Sequence, residues 1–448
     1  MNYQPPTLQV DRSTCNAFIA TLLWAMCSIS AAQSPDFEDT SAKYQTTYNW
    51  QKHASFASPY AGQNSLSSAA NKMYTFSITA HWGKRIWEGG ELYFNPELAS
   101  GVPFSNNLVG LGGFTNGEIT RTASSTPKPY IQRLFIRQTW NLGGGSEKVE
   151  SDFNQMAGNV DKNRFVLTAG NFSTLDVFDD NTYAKDPRTQ FMNWGNWTYS
   201  AFDYSADARG FAGELYQDDW VFRFGRMTGP KEPNSLSLDF ALGKHYGDQV
   251  EVEHAHSLNG QPGRVRVLAF RNKAVLASFN DATAYLAANP GTDRQTIDNV
   301  RGGEKIKYGL GVNLEQAINP DVGFFLRAMK TDGRTDTPAF TEVDDSFSSG
   351  FLVKGNSWGR VNDTVGLSMM QNRLSNDRRK FLENGGISFF IGDGHLSYKP
   401  ETIFEGFYSL GLSKSIWLTG DYQRIQNPAY NASRGPVNVF AVRFHAEF

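Results

Sequence analysis

From about residue 72 onward the chain alternates apolar and polar positions with a period of two, as strands do when one face meets an apolar medium and the other a polar one. Between Ile306 and Gln316 the even positions Ile306, Tyr308, Leu310, Val312 and Leu314 are apolar, whereas Lys307, Gly309, Gly311, Asn313 and Glu315 are small or polar. The same dyad marks Leu236, Leu238, Phe240 and Leu242, and again Trp220, Phe222 and Phe224. It predicts further strands over 72–82, 130–140, 164–172, 264–271, 322–329, 364–370, 386–391, 401–412 and 415–424. A last run places Phe440, Val442, Phe444, Ala446 and Phe448 on one face against Arg443, His445 and Glu447 on the other. Amphipathic helical stretches are scarce.

One such strand fits a half-buried sheet in water as well as a barrel in lipid. Their number favours lipid, where the sheet must close because an open edge would leave unpaired N–H and C=O groups in hydrocarbon. Trp82, Trp140, Trp220 and Tyr246 fall at strand ends, as interfacial girdle residues do. The expected fold is therefore all-β: a transmembrane antiparallel β-barrel over 72–448, with residues 33–71 forming a lead-in or a first strand near Tyr44–Trp50. Chain length allows between about 14 and 18 strands, and an even count of 16 is favoured. Tight turns are expected at Ile318-Asn319-Pro320-Asp321 and Gly392-Asp393-Gly394. Longer polar segments at 97–129, 175–208, 280–303 and 331–347 are expected as extracellular loops or inward-folded constrictions.

Ala17–Ala32 is apolar but too short and too near the start for a spanning helix. With Ser30-Ala31-Ala32 at its end it reads as a secretory signal over 1–32, an uncleaved anchor being the alternative. Both cysteines, Cys15 and Cys27, lie inside it, so a disulfide framework or thiolate metal site is not expected downstream. The 42 Lys+Arg against 45 Asp+Glu give no reason to expect nucleic acid or an anionic membrane surface as partner, since both call for clustered excess basic charge. Mean hydropathy of −0.45 beside 14% aromatics suits a barrel with a wet interior.

No G-x-S-x-G, H-E-x-x-H or P-loop is present. His254 and His256 lie on the opposite strand face from Glu251 and Glu253, which favours a wet rim over a metal site. Arg133 and Arg137 share parity. A charge on the lipid face costs about 2–4 kcal/mol near midplane, so both are expected to face the lumen. There they could bond sugar hydroxyls, or merely pair with carboxylates. Trp87, Glu91, Tyr93, Asn95 and Glu97 pose a like choice between a sugar path, which wants aromatic faces beside carboxylates and amides, and an interfacial girdle.

The run Trp87-Glu88-Gly89-Gly90-Glu91-Leu92-Tyr93-Phe94-Asn95-Pro96-Glu97-Leu98 closely resembles a hallmark segment of the carbohydrate-selective porin family (the OprB type). So do Gly113–Glu118, where Thr115 stands in place of an expected proline, and Ala169–Asp179 continuing through Asn181, Tyr183, Asp186, Pro187, Arg188 and Phe191. Ala206–Gly210, Asn427–Asn431 and Arg434–Val437 complete the likeness. The resemblance implies a 16-stranded barrel in the bacterial outer membrane that passes glucose and related mono- or small oligosaccharides by diffusion, without cofactor or metal. It adds Asp176, Asp179, Arg188 and Arg209 to the substrate-path candidates. Small sugars, outer-membrane lipid, lipopolysaccharide and the barrel assembly machinery are the expected partners, in a monomer or homotrimer. The rival functions are a general or anion-preferring diffusion porin, a barrel enzyme with rim catalytic residues, and a secreted all-β sugar-binding protein. The chain is too short for a plug domain plus a 22-stranded barrel.

Overall fold

The computed structural model describes residues 36–121, 124–204, 208–231, 238–291, 296–339 and 341–448. The expected signal segment lies outside them. The first strand, β1 (Thr40–His53), pairs with β2 (Asn71–Trp87), followed by β3 (Gly90–Val102) and β4 (Ser124–Asn141). A separate hairpin of β5 (Ser146–Val149) and β6 (Gly158–Asp161) comes next. The sheet resumes with β7 (Arg164–Phe172), β8 (Ala208–Gln217), β9 (Trp220–Thr228), β10 (Tyr246–Leu258) and β11 (Gln261–Val275). It continues through β12 (Glu304–Asn319), β13 (Val322–Thr331), β14 (Asp345–Lys354), β15 (Thr364–Arg373), β16 (Glu401–Gly411), β17 (Ile416–Gln426) and β18 (Val437–Glu447). β18 pairs back onto β1, so 16 antiparallel strands close a barrel. At the seam Tyr44 and Phe448 exchange both backbone hydrogen bonds, at 2.8 and 2.9 Å.

The two-residue period maps onto the two faces of this wall. Ile306, Tyr308, Leu310 and Val312 are exposed on the outside, while Lys307, Asn313 and Glu315 are buried within. Phe440, Val442 and Phe444 likewise face out and Arg443 and His445 in; Ala446 shares the outward parity but is covered. One barrel end carries short turns such as 88–89, 218–219, 259–260 and 320–321. In the last of these the Asn319 side chain accepts from the amides of Asp321 and Val322, both at 2.9 Å. Trp82, Trp140 and Trp220 ring that end, whereas Tyr246 lies at the other. The long-loop end is roofed by two helices, α1 (Phe279–Ala288) and α2 (Asn376–Glu383), capped by Ser278 and Ser375 and packed through Phe279 against Phe381.

Several expectations need correction. Residues 238–242 form no strand, Leu238 making only an isolated bridge to Pro230, and residues 236–237 lie outside the described ones. The apolar run 386–391 is loop, its Ile387, Phe390 and Ile391 buried in packing at the long-loop end. Gly392-Asp393-Gly394 belongs to that same long connection and is no tight turn. β3 extends through 102 into the segment expected to loop from 97, and β1 begins four residues before Tyr44. β8 and β14 escape a period-two search because glycine, alanine and serine blur the contrast between their faces.

Val312 lies mid-strand on the outward face, so Val312→Arg is expected to destabilise the barrel in lipid vesicles by about 2–4 kcal/mol. Urea unfolding checks it, and an unchanged midpoint would mean that this face does not meet hydrocarbon.

Candidate functional site in the barrel lumen

Residues 173–204 leave β7 and fold into the barrel. The turn begins with a capping box: Ser173 Oγ accepts from the Leu175 amide and the Asp176 carboxylate from the Ser173 amide. Asp176 is thereby aimed at β4, where Arg133 grips it with Nε and Nη2, each at 2.6 Å. Burial alone would raise the Asp176 carboxyl, but Arg133 outweighs it and holds it below its ordinary range.

Farther along, Arg188 reaches back to the wall. Its Nε donates to Glu118 at 2.8 Å, its Nη2 to Glu97 at 2.9 Å and its Nη1 to Thr79 at 3.3 Å. Glu97 also accepts from Tyr130, and Glu118 from Ser77 at 2.9 Å. Four elements therefore meet at one guanidinium: β2, β3, the β3–β4 connection and the inward loop. Burial opposes the charge on Arg188, but Glu97 and Glu118 more than offset it and keep the side chain protonated.

Several other inward charges hold loops in place. Glu251 accepts from the Asp179 amide and Glu315 from that of Thr182; Glu405 accepts from those of Met192 and Asn193. Glu401 does the same for Gly112 and Gly113. Arg443 donates to the carbonyls of Pro187 and Gln190 at 2.8 and 2.7 Å. These contacts fill the β10–β18 side with loop, where Phe178, Phe191 and Phe202 are fully buried.

What stays open is a cavity of about 840 Å³ against β2–β4 and β7–β9. Arg133, Arg137, Glu91, Glu97, Asp176 and Arg188 line it, together with aromatic side chains of Tyr130, Phe135 and Trp197. Toward the short-turn end the β5–β6 segment covers it, with Phe153 against His81 at 4.4 Å between ring centroids and the Asn154 carbonyl accepting from Arg137 at 2.8 Å. Its volume falls in the usual range of ligand sites, about 300–1,000 Å³.

A family model described as "Carbohydrate-selective porin, OprB family" matches residues 64–448. The chain belongs to the carbohydrate-selective porins. Among solved structures, the high-pH form of Pseudomonas putida OprB is similar in fold, at 16% identity, a TM-score of 0.66 and coverage of 92% of this chain and 94% of that one. The low-pH form of that protein matches at 10% identity and a TM-score of 0.49, covering 100% of both chains. A triple mutant of Rhodopseudomonas blastica porin matches at 8% and 0.44, covering 91% of this chain and 100% of that one. No curated protein matches.

The structure of this porin separates the residues singled out in its sequence. Trp87 and Arg209 face away from the lumen. A register shift between Arg85 and Trp87 turns the indole out at the short-turn rim, where it donates to Gln138. Arg209 shares the outward face of β8 with Phe211 and Leu215 and lies over Phe240, 4.2 Å from the ring centroid. Tyr93 and Asn95 point inward but stop short of the cavity. Tyr93 stacks on Phe135 and donates to Glu91; Asn95 is bonded to His81. Asp179 is an anchor, bonded to Arg327 at 2.8 Å, Asn313 at 2.6 Å and Thr198 at 2.9 Å, and burial pushes its carboxyl up despite Arg327.

Glu118 and Tyr130 also stand at the heart of the cluster; Glu118 closes the family-like segment Gly113–Glu118, but in a connection without strand parity nothing marks it as inward. Glu214 and Arg223, bonded at 3.0 Å, were missed as a pair because β8 alternates so faintly.

Asp179→Ala leaves Arg327 buried without its carboxylate and is expected to cost about 3–5 kcal/mol in urea unfolding, with earlier proteolysis of the inward loop. A loss below 1 kcal/mol would contradict the anchoring role. The Asp176–Arg133 clamp carries a pH expectation. A carboxyl depressed by folding stabilises above its unfolded value, about 3.9, and that stabilisation is lost as pH falls through the lower folded value. Single-channel current should accordingly stay quiet from neutral pH to about 4 and flicker only below it. Flicker setting in near pH 6 would show that another group governs the loop.

Proposed function

We propose that neutral sugars cross this porin along the β2–β4 and β7–β9 side of the lumen, past Arg188 and its two carboxylates. The observation that carries this path is the Glu97–Arg188–Glu118 cluster, which joins both inward connections to the wall at the cavity's edge. Guanidinium forks and carboxylates beside aromatic faces can replace part of a sugar's hydration shell: Arg133 and Arg137 donate, Glu91 and Glu97 accept, and Tyr130 and Phe135 offer faces to C–H groups. Every step is binding and release. Release demands weak affinity, in the millimolar range at about −4 kcal/mol.

The cavity lining mixes seven lysines and arginines with nine aspartates and glutamates. That near balance speaks against the rival anion-preferring channel. The setting that goes with this function is the bacterial outer membrane, reached through a signal over 1–32 and the barrel assembly machinery, with the short turns periplasmic and the long loops outside. Lipopolysaccharide then surrounds the long-loop end.

Planar-bilayer conductance with a titrated sugar panel tests the proposal. Glucose is expected to block the current half-maximally at millimolar concentration, and the Arg133→Ala/Arg137→Ala variant to weaken the block about tenfold or more, the loss of roughly one charged hydrogen bond. An open channel blocked by no sugar would remove the selectivity claim. Unchanged block in the variant would take these two arginines out of the path.

A further inference from the structure

On the outside of β9–β12 the residue rows can be followed level by level. Phe224, Val250, Ala269 and Leu310 form an apolar row through register pairs of adjacent strands. One level nearer the long loops the paired residues are Arg226, Asp248, Arg271 and Tyr308, and at the next Tyr246, Lys273 and Ile306. The wall changes from hydrocarbon-like to cationic within one step, as it does where acyl chains give way to headgroups.

The cations are held in place but not neutralised. Asp248 takes Arg226 on both oxygens, at 2.7 and 3.0 Å, and Arg271 on one at 2.5 Å. Arg226 also sits over the Tyr246 ring, 3.9 Å from its centroid. Lys273 pairs with Glu304 at 2.6 Å, and Arg209 stands beside the group with no acid partner among the described residues. Four cations thus face two carboxylates. The side chain of Arg271 is 51% exposed, and among the described residues only one of its N–H groups, on Nη2, meets an acceptor. At the short-turn end of the same strands the outward positions are Gln217, Trp220, His254, His256, Val265 and Leu314, without a lysine or arginine.

We infer that Arg226, Arg271 and Lys273, with Arg209 at their flank, form a lipid-binding site for a phosphorylated headgroup in the leaflet at the long-loop end. The charge complementarity commits the occupant to a phosphate monoester on a lipid. Two guanidinium forks fixed by one shared carboxylate match the oxygens of such a group, and the apolar row beneath receives its acyl chains. The inference rests on the outer-membrane setting proposed above.

The test uses the full-length porin in detergent and native mass spectrometry with added bisphosphorylated lipid A. The wild-type porin is expected to retain it on the order of tenfold or more over phosphatidylglycerol. Arg226→Ala/Arg271→Ala/Lys273→Ala should lose that margin while keeping wild-type conductance and heat-modifiable migration, neither of which depends on this outward patch. Arg271→Gln/Lys273→Gln, which keeps the Arg226–Asp248 pair, serves if the triple variant does not fold and should lose most of the margin too. Equal retention by folded variants, equal retention of phosphatidylglycerol, or displacement by millimolar inorganic phosphate would each overturn the site. Membrane fractionation stands apart: a porin absent from the outer membrane would sink the setting, while the in-vitro comparison still decides the site.

Discussion

A sheet surrounded by hydrocarbon has no water to satisfy its edges, so each backbone N–H and C=O must find its partner within the wall. Here that demand is met at the β1–β18 seam, where the two ends of the strand series pair in register from Gln45 against Glu447 to His53 against Val439. Closure sets the interior apart from the exterior, and the period of two does the rest. One parity, read from Ile306 to Leu314 or from Phe440 to Phe444, becomes an apolar jacket. The other becomes a lumen crowded with charge.

A closed 16-stranded cylinder encloses more space than a selective sugar path can use, and loops occupy the surplus. Bringing a loop's backbone inside the wall would be costly if its amides and carbonyls went unpaired. Glu251, Glu315, Glu401 and Glu405 supply acceptors for these amides, while Arg327 and Arg443 supply donors for the carbonyls. The β10–β18 half of the lumen is therefore structural in chemistry as well as in packing. The β2–β4 and β7–β9 half keeps its charges paired with one another at the cavity edge, where a hydroxyl-rich solute can compete for them.

The outer surface is asymmetric in the same physical sense. Tryptophans ring the short-turn end at Trp82, Trp140 and Trp220, whereas a band of arginine, lysine and tyrosine marks the long-loop end of β9–β11. Aromatic rings suit any headgroup region, but an excess of cations suits an anionic one.

Alternation along the chain was enough to establish strands, an all-β barrel and the sidedness of residues such as Arg133, Arg137 and Arg443, because that property depends only on sequence parity and on the cost of a charge in lipid. It faltered where small residues flattened the contrast, in β8 and β14, and where a bulge broke the parity, at Trp87. The segments around 87–98 and 169–191 were enough to place the chain in its family. Which inward charge lines the cavity and which anchors a loop was decided only by the tertiary structure. Asp176 and Asp179 are three residues apart in one turn of chain, yet one meets Arg133 at the cavity and the other Arg327 in the packed half. Their partners lie 43 and 148 residues away, and no local pattern encodes a meeting made by the closure of the barrel and the direction in which its loop folds.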